Sequence, residues 1–114
     1  MLSLEVRKYL FDMRCACELL AGFTAGKTFA DYCADPLLRS GVERQFEIVG
    51  EALRQALRVE PGLAGRLSNT GRIVAFRNRL IHGYSSVSNE VVWGILESNL
   101  PVLRREVEAL LAEK

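Results

Sequence analysis

Histidine occurs only once in this chain, at position 82. Neither it nor the cysteines and carboxylates form a cluster at metal-ligand spacing, so no metal centre and no cofactor are expected. Cysteine is sparse as well. Cys15, Cys17 and Cys33 are an odd set without framework spacing, which argues against disulfides and for a reducing compartment. Cys15 and Cys17 stand two apart on a helical pattern and point to different faces, so buried structural thiols are expected. No apolar run approaches the length of a membrane span, and Arg7, Lys8 and Asp12 interrupt the N-terminus before any secretory core region. These absences lead to the expectation of a cytoplasmic protein without membrane association. Charge of one sign is lacking too. The formal net charge is +1, so no global field draws the chain to a polyanion.

What is present is helical periodicity almost throughout. Hydrophobic residues make up 49% of the 114 positions and charged residues 25%, ordinary values for one globular domain spanning 1–114. Ser3 is placed to cap a first helix with Val6, Leu10, Met13, Cys17 and Leu20 on one face, ending near Gly22 with Gly26 as a second stop. Thr28 starts a short turn through Phe29, Tyr32 and Cys33. Asp35-Pro36 opens a long helix towards Arg58, and Pro61-Gly62 ends it. Asn69 or Thr70 caps a third main helix through Ile73, Phe76, Leu80 and Ile81, stopping around Gly83. Ser88 caps the last segment, which Pro101 kinks or divides. The expected fold is an all-α antiparallel bundle of four main helices, or five if the proline divides one. No strand, repeat or linker interrupts that pattern.

The densest chemistry lies in Arg77-Asn78-Arg79-Leu80-Ile81-His82-Gly83-Tyr84. An imidazole takes and gives protons near neutral pH. A guanidinium stays charged and matches phosphate oxygens. Together they are the minimum kit for cutting RNA without a metal. On its own Arg-x4-His is a weak pattern, and a histidine near a helix end is often only a cap for the dipole. On an ideal helix five residues turn through about 140°, so Arg77 and His82 do not share a face. Asn78 and His82, four apart, do, which makes Asn78 the expected orienter of the imidazole. Arg77 either reaches round or meets a His82 from a second copy across a two-fold axis. Between Arg54 and Arg79 stand six arginines against the single acid Glu60. That run reads either as a phosphate footprint, with Arg72 and Arg79 holding RNA, or as solvated helix faces balanced in space by Glu47, Glu51 or the C-terminal acids. A stripe around Phe76, Leu80 and Ile81 is the expected dimer contact.

The string Arg77-Asn78-x-Leu80-Ile81-His82-x-Tyr84 resembles the motif of the HepT family of ribonuclease toxins, within the HEPN class of small helical RNases. The helix Val42–Ala52 with its Gly50-Glu51-Ala52, the Val92-Trp93 pair and Leu100-Pro101-x-Leu103 resemble that family as well, so the likeness runs from about Asp35 onwards. It departs at Ala75-Phe76, where Gly followed by Met or Leu is more usual, and at Asn69-Thr70-Gly71, which replaces a common Pro-Trp pair. The resemblance implies a dimeric endoribonuclease with a composite cleft. In it His82 is the general acid or base, Arg77 steadies the transition state and Asn78 orients. It also implies a cognate minimal nucleotidyltransferase antitoxin that silences the toxin by adding AMP to Tyr84. Glu51 is expected to be structural, pairing with an arginine. An alternative of another class is a non-catalytic helical subunit that docks the nucleotidyltransferase and merely retains the motif.

Overall fold

The computed structural model describes residues 1–113, with Tyr84 described in its backbone only. Six α-helices follow one another: α1 (Leu4–Thr24), α2 (Phe29–Ala34), α3 (Pro36–Val59), α4 (Thr70–His82), α5 (Asn89–Ser98) and α6 (Leu100–Ala112). Short 3-10 turns lie at Pro61–Gly65 and Tyr84–Ser86. Among the described residues there is no strand, and no helix is long and apolar enough to cross a membrane. The bundle is all-α, as expected. Its helix count exceeds the expected four to five because α2 is a true helical turn and Pro101 divides rather than kinks the last segment.

The boundaries follow from the caps. Ser3 Oγ accepts from Val6 N at 3.2 Å. Thr28 and Asp31 form a reciprocal capping box, Thr28 Oγ1 accepting from Asp31 N at 3.1 Å and Asp31 Oδ2 from Thr28 N at 2.9 Å. Those bonds hold the Asp31 carboxyl below its ordinary range. Asp35 Oδ1 accepts from both Leu37 and Leu38 N–H groups, with Pro36 in the first turn where its missing N–H leaves nothing unpaired. A cap of this kind stabilises a helix by about 1 kcal/mol. The first helix passes through Gly22 and ends at Thr24, and Gly26 then takes φ 72°, the left-handed conformation that a glycine adopts without penalty.

α1 lies at the centre. It runs antiparallel to α3, with Glu5 near Arg58 at one end and Phe23 against Gly41 at the other. It is antiparallel to α6 as well, where Arg7 donates to the Leu111 carbonyl at 2.8 Å and the Glu113 carbonyl at 3.1 Å. Val6, Leu10, Met13, Cys17 and Leu20 are all buried, the face that their spacing predicts. Burial pushes the Cys17 thiol up to about 12, so it packs as a small hydrophobe. Cys15 and Cys33 are free and only partly buried, which corrects the expectation of three buried thiols. Tyr32 anchors α2 to α5 through Trp93, ring centroids 5.5 Å apart.

α4 lies across α3. Phe46 and Phe76 meet edge to face at 5.4 Å, and Phe76 and Leu80 are 8% and 4% exposed. This narrows the part of the expected stripe that a second copy could cover. Both side chains complete the core of their own chain, and only Ile81, 39% exposed, remains available to a second copy.

Candidate functional site

The site is organised by the crossing of α3 and α4. A Cβ at Gly50 would lie 2.3 Å from Arg77 Cβ and 2.8 Å from its Cγ. Only glycine lets the two helices come this close. Gly within a helix costs about 1 kcal/mol relative to Ala, so its presence at mid-α3 is itself a signal of close backbone approach.

Seated in that gap, the Arg77 side chain is 20% exposed and held from two sides. Its Nη2 meets Glu51 Oε2 at 2.8 Å, and its Nη1 donates to Asn78 Oδ1 at 2.8 Å. Its Nε–H is buried with no acceptor among the described residues. Glu51 is shared. It accepts from Arg54 Nη2 at 2.9 Å and Nε at 3.2 Å, and from Gln55 Nε2 at 3.0 Å. Hydrogen bonds from Arg54 and Gln55, reinforced by the charges of Arg54 and Arg77, bring its carboxyl down to about 2. Two guanidinium groups thus face one carboxylate, and a net positive charge remains. Glu51 is the structural partner of an arginine that its surroundings in the sequence predict.

The Asn78 carboxamide oxygen is bonded to Arg77, so Asn78 braces the guanidinium. His82 is the last residue of α4 and is exposed, beyond the end of the braced segment. Gly83 then stops the helix, its N–H donating to the Arg79 carbonyl at 2.8 Å.

Arg79 has another function in the fold as well. Its Nη2 donates to the Ser86 carbonyl at 2.9 Å, while Ser86 Oγ and N both donate to the Gly83 carbonyl, at 2.7 and 2.9 Å. This small knot closes the turn Tyr84–Ser86. The Tyr84 side chain, the expected modification site, lies outside the described residues. Arg72 is exposed near the start of α4, and no hydrogen bond or ion pair engages it among the described residues.

The expected basic footprint is largely dispersed. Arg54 and Arg77 pair with Glu51, Arg58 lies 3.9 Å from Glu5, and Arg66 pairs with Glu113. These pairs fit the reading of helix faces balanced by acids for four of the six arginines and leave Arg72 and Arg79 without an acid partner among the described residues. No group of three His, Cys, Asp or Glu side chains among the described residues stands where it would hold a metal ion.

The arrangement places an arginine fixed at a helix crossing and an exposed histidine at the end of the same helix. The family model described as Ribonuclease HepT-like matches residues 66–110, the segment from the loop before α4 to most of α6. A protein of Thermococcus cleftensis named as a probable ribonuclease HepT is 31% identical over 108 residues, covering 91% of this chain and 94% of that protein. A candidate RNase of Caldanaerobacter subterraneus is 28% identical over 108 residues, with 95% and 96% covered. Another from Methanocaldococcus jannaschii is 25% identical over 109 residues, with 96% and 89% covered. No solved structure matches the chain. The chain belongs to the HepT-like ribonuclease family.

Proposed function

We propose that this protein is the toxin of a prokaryotic toxin–antitoxin pair, a metal-independent endoribonuclease acting as a homodimer. The observation that carries the reading is the fixed Arg77. A charge-stabilising group is most effective when held before the reaction begins, and Gly50, Glu51 and Asn78 hold it. His82 has an exposed side chain five residues on, suited to moving protons. The RNA 2′-hydroxyl attacks the adjacent phosphorus. Its proton passes to the imidazole, the bond from phosphorus to the 5′-oxygen breaks, and that oxygen takes the proton back. The products are a 2′,3′-cyclic phosphate and a free 5′-hydroxyl, which requires RNA rather than DNA.

The dimer is argued from geometry. Arg77 and His82 are turned about 140° apart on one helix, so a two-fold arrangement that brings each His82 to the partner's Arg77 completes the site. The exposed apolar residues Ile81 and, on α1, Phe11 and Leu19 are the surface for it, and a groove between α1 and α3 reaches Arg77 and Ile81. The mode of regulation is carried over from the resemblance to the HepT family. A minimal nucleotidyltransferase antitoxin adds AMP to Tyr84, and the new phosphodiester brings negative charge beside Arg77 and its neighbours.

RNA cleavage is expected to persist in EDTA and to fall by about 10²–10⁴-fold in His82→Ala and about 10²–10³-fold in Arg77→Ala. Wild-type cleavage by His82→Ala would sink the catalytic assignment. A monomer by light scattering at micromolar concentration, with cleavage intact, would sink the dimer. Intact mass after co-expression with the antitoxin is expected to show added AMP on wild type and none on Tyr84→Phe.

A further inference from the structure

Between α4 and the helices α3, α5 and α6 lies a cavity of about 180 Å³. Its walls are apolar and mostly buried: Phe46, Val49, Phe76 and Leu103, with Ile95 partly buried. Three polar side chains also line it: Arg72, Asn69 and Asn99. Arg72 and Asn69 are exposed and Asn99 is half-buried, so they form the mouth. None of the three side chains makes a hydrogen bond or ion pair among the described residues. Asn69 stands at φ 59°, at the head of α4, without capping it.

An apolar interior with a few unengaged polar groups at its opening is the form of a ligand site. An apolar cavity of about 150 Å³ admits one benzene ring, so this one is scaled to a single aromatic ring and excludes a whole nucleotide. Carboxamides both donate and accept, as the edge of a nucleobase requires, and a guanidinium without an acid partner suits a phosphate outside the cavity. Single-stranded RNA is recognised in this way, by unstacked bases packed on aromatic side chains and bonded at their edges.

We propose that this cavity is a subsite for one pyrimidine base of single-stranded RNA, with Arg72 on its phosphate. The inference rests on the ribonuclease reading for its choice of ligand. Arg72 and His82 are ten residues apart on one helix, about 15 Å along its axis. Arg77 is nearer, five residues or about 7.5 Å from Arg72, so the base held here lies about one to three nucleotides from the bond that is cut. Its binding supplies remote anchoring and sets where along a strand cleavage falls.

The test uses eight-nucleotide RNAs of adenosine with one uridine moved through each position. Anisotropy of binding to His82→Ala and cleavage by wild type are both measured. One uridine position is expected to bind about tenfold better than the rest, the value of one stacked base. That preference is expected to flatten in Ile95→Phe, which fills the cavity, and in Asn69→Gly, which removes a carboxamide while tolerating the backbone. Binding that ignores uridine position overturns the proposal. So does a position preference that survives both substitutions, with Ile95→Phe raising the melting temperature, because the cavity is then a packing void. So does an Ile95→Phe that blocks AMP addition to Tyr84 while keeping the uridine preference, because the occupant is then a protein side chain. A uridine preference in binding without cleavage by wild type supports the subsite and refutes the ribonuclease reading instead.

Discussion

Gly50→Ala tests the central claim about how Arg77 is held. The added methyl would sit 2.3 Å from Arg77 Cβ and 2.8 Å from Cγ, with the Ile73 carbonyl oxygen 3.4 Å away. Carbon atoms in contact settle at roughly 3.5–4.0 Å, so the overlap is about 1 Å or more. The clashing atoms are the root of the arginine side chain, which no rotamer change removes from the path. α4 must therefore withdraw from α3. Overpacking of this kind costs about 1–3 kcal/mol, or roughly 4–12 °C in melting temperature for a domain of this size. The withdrawal carries the guanidinium with it, and a catalytic group misplaced by about 1 Å can lose about 10²-fold in rate. Thermal melting and cleavage of a fluorogenic RNA read the two effects separately. A variant that melts and cuts like wild type refutes the close approach. One that melts early yet cuts at full rate refutes the importance of where Arg77 sits.

Three further outcomes follow from the charges and thiols. Glu51 is held down to about 2, so its folded pKa is depressed. It contributes stability that is present above the ordinary carboxylate range and lost as pH falls towards about 2. Glu51→Gln is expected to flatten that acid limb in urea melts at successive pH values, and an unchanged limb would refute the pairing. Because Arg54, Arg58 and Arg66 pair with Glu51, Glu5 and Glu113, RNA binding should depend only moderately on salt. With Arg72, Arg77 and Arg79 left to meet phosphates, a log–log slope of roughly −2 per protomer is expected, against roughly −4 if all six did. Of the three thiols, Cys17, pushed up to about 12 by burial, is expected to resist iodoacetamide in the native state while Cys15 and Cys33 react, as peptide mass mapping would show.

The helices were legible because local rules agreed with tertiary ones. Ser3, Thr28, Asp35 and Ser88 each cap the helix that their position predicts, and the α1 stripe is the buried face. Less legible were partners that helical periodicity does not name, on another helix or in a neighbouring turn. Phe76 and Leu80 are apolar on α4, but periodicity does not say whether they face α3 or another chain. Asn78 has two partners within reach along its own helix, and spacing alone does not show that its carboxamide oxygen takes the neighbouring guanidinium. Arg79 reads as a phosphate ligand by type, yet the turn beyond Gly83 offers it the Ser86 carbonyl. Gly50 is the residue whose placement in the sequence points to the helix contact. A glycine in the middle of a 24-residue helix has no local reason to be there, and its reason is the Arg77 side chain across from it.

That contact divides the labour along α4. A group that stabilises developing charge works best when it does not reorganise during the reaction. Arg77 meets that requirement, being packed at mid-helix against Gly50 and tied to Glu51 and Asn78. A group that takes a proton from one oxygen and returns it to another must instead reach both. His82 is exposed in the final turn, where Gly83 ends the helix and no brace comparable to Glu51 surrounds it among the described residues. On the ribonuclease reading, the fold therefore places its rigid element at the charge and its freer element at the proton. The residues that matter most for holding the charge lie on α3, outside the Arg77-to-Tyr84 motif altogether.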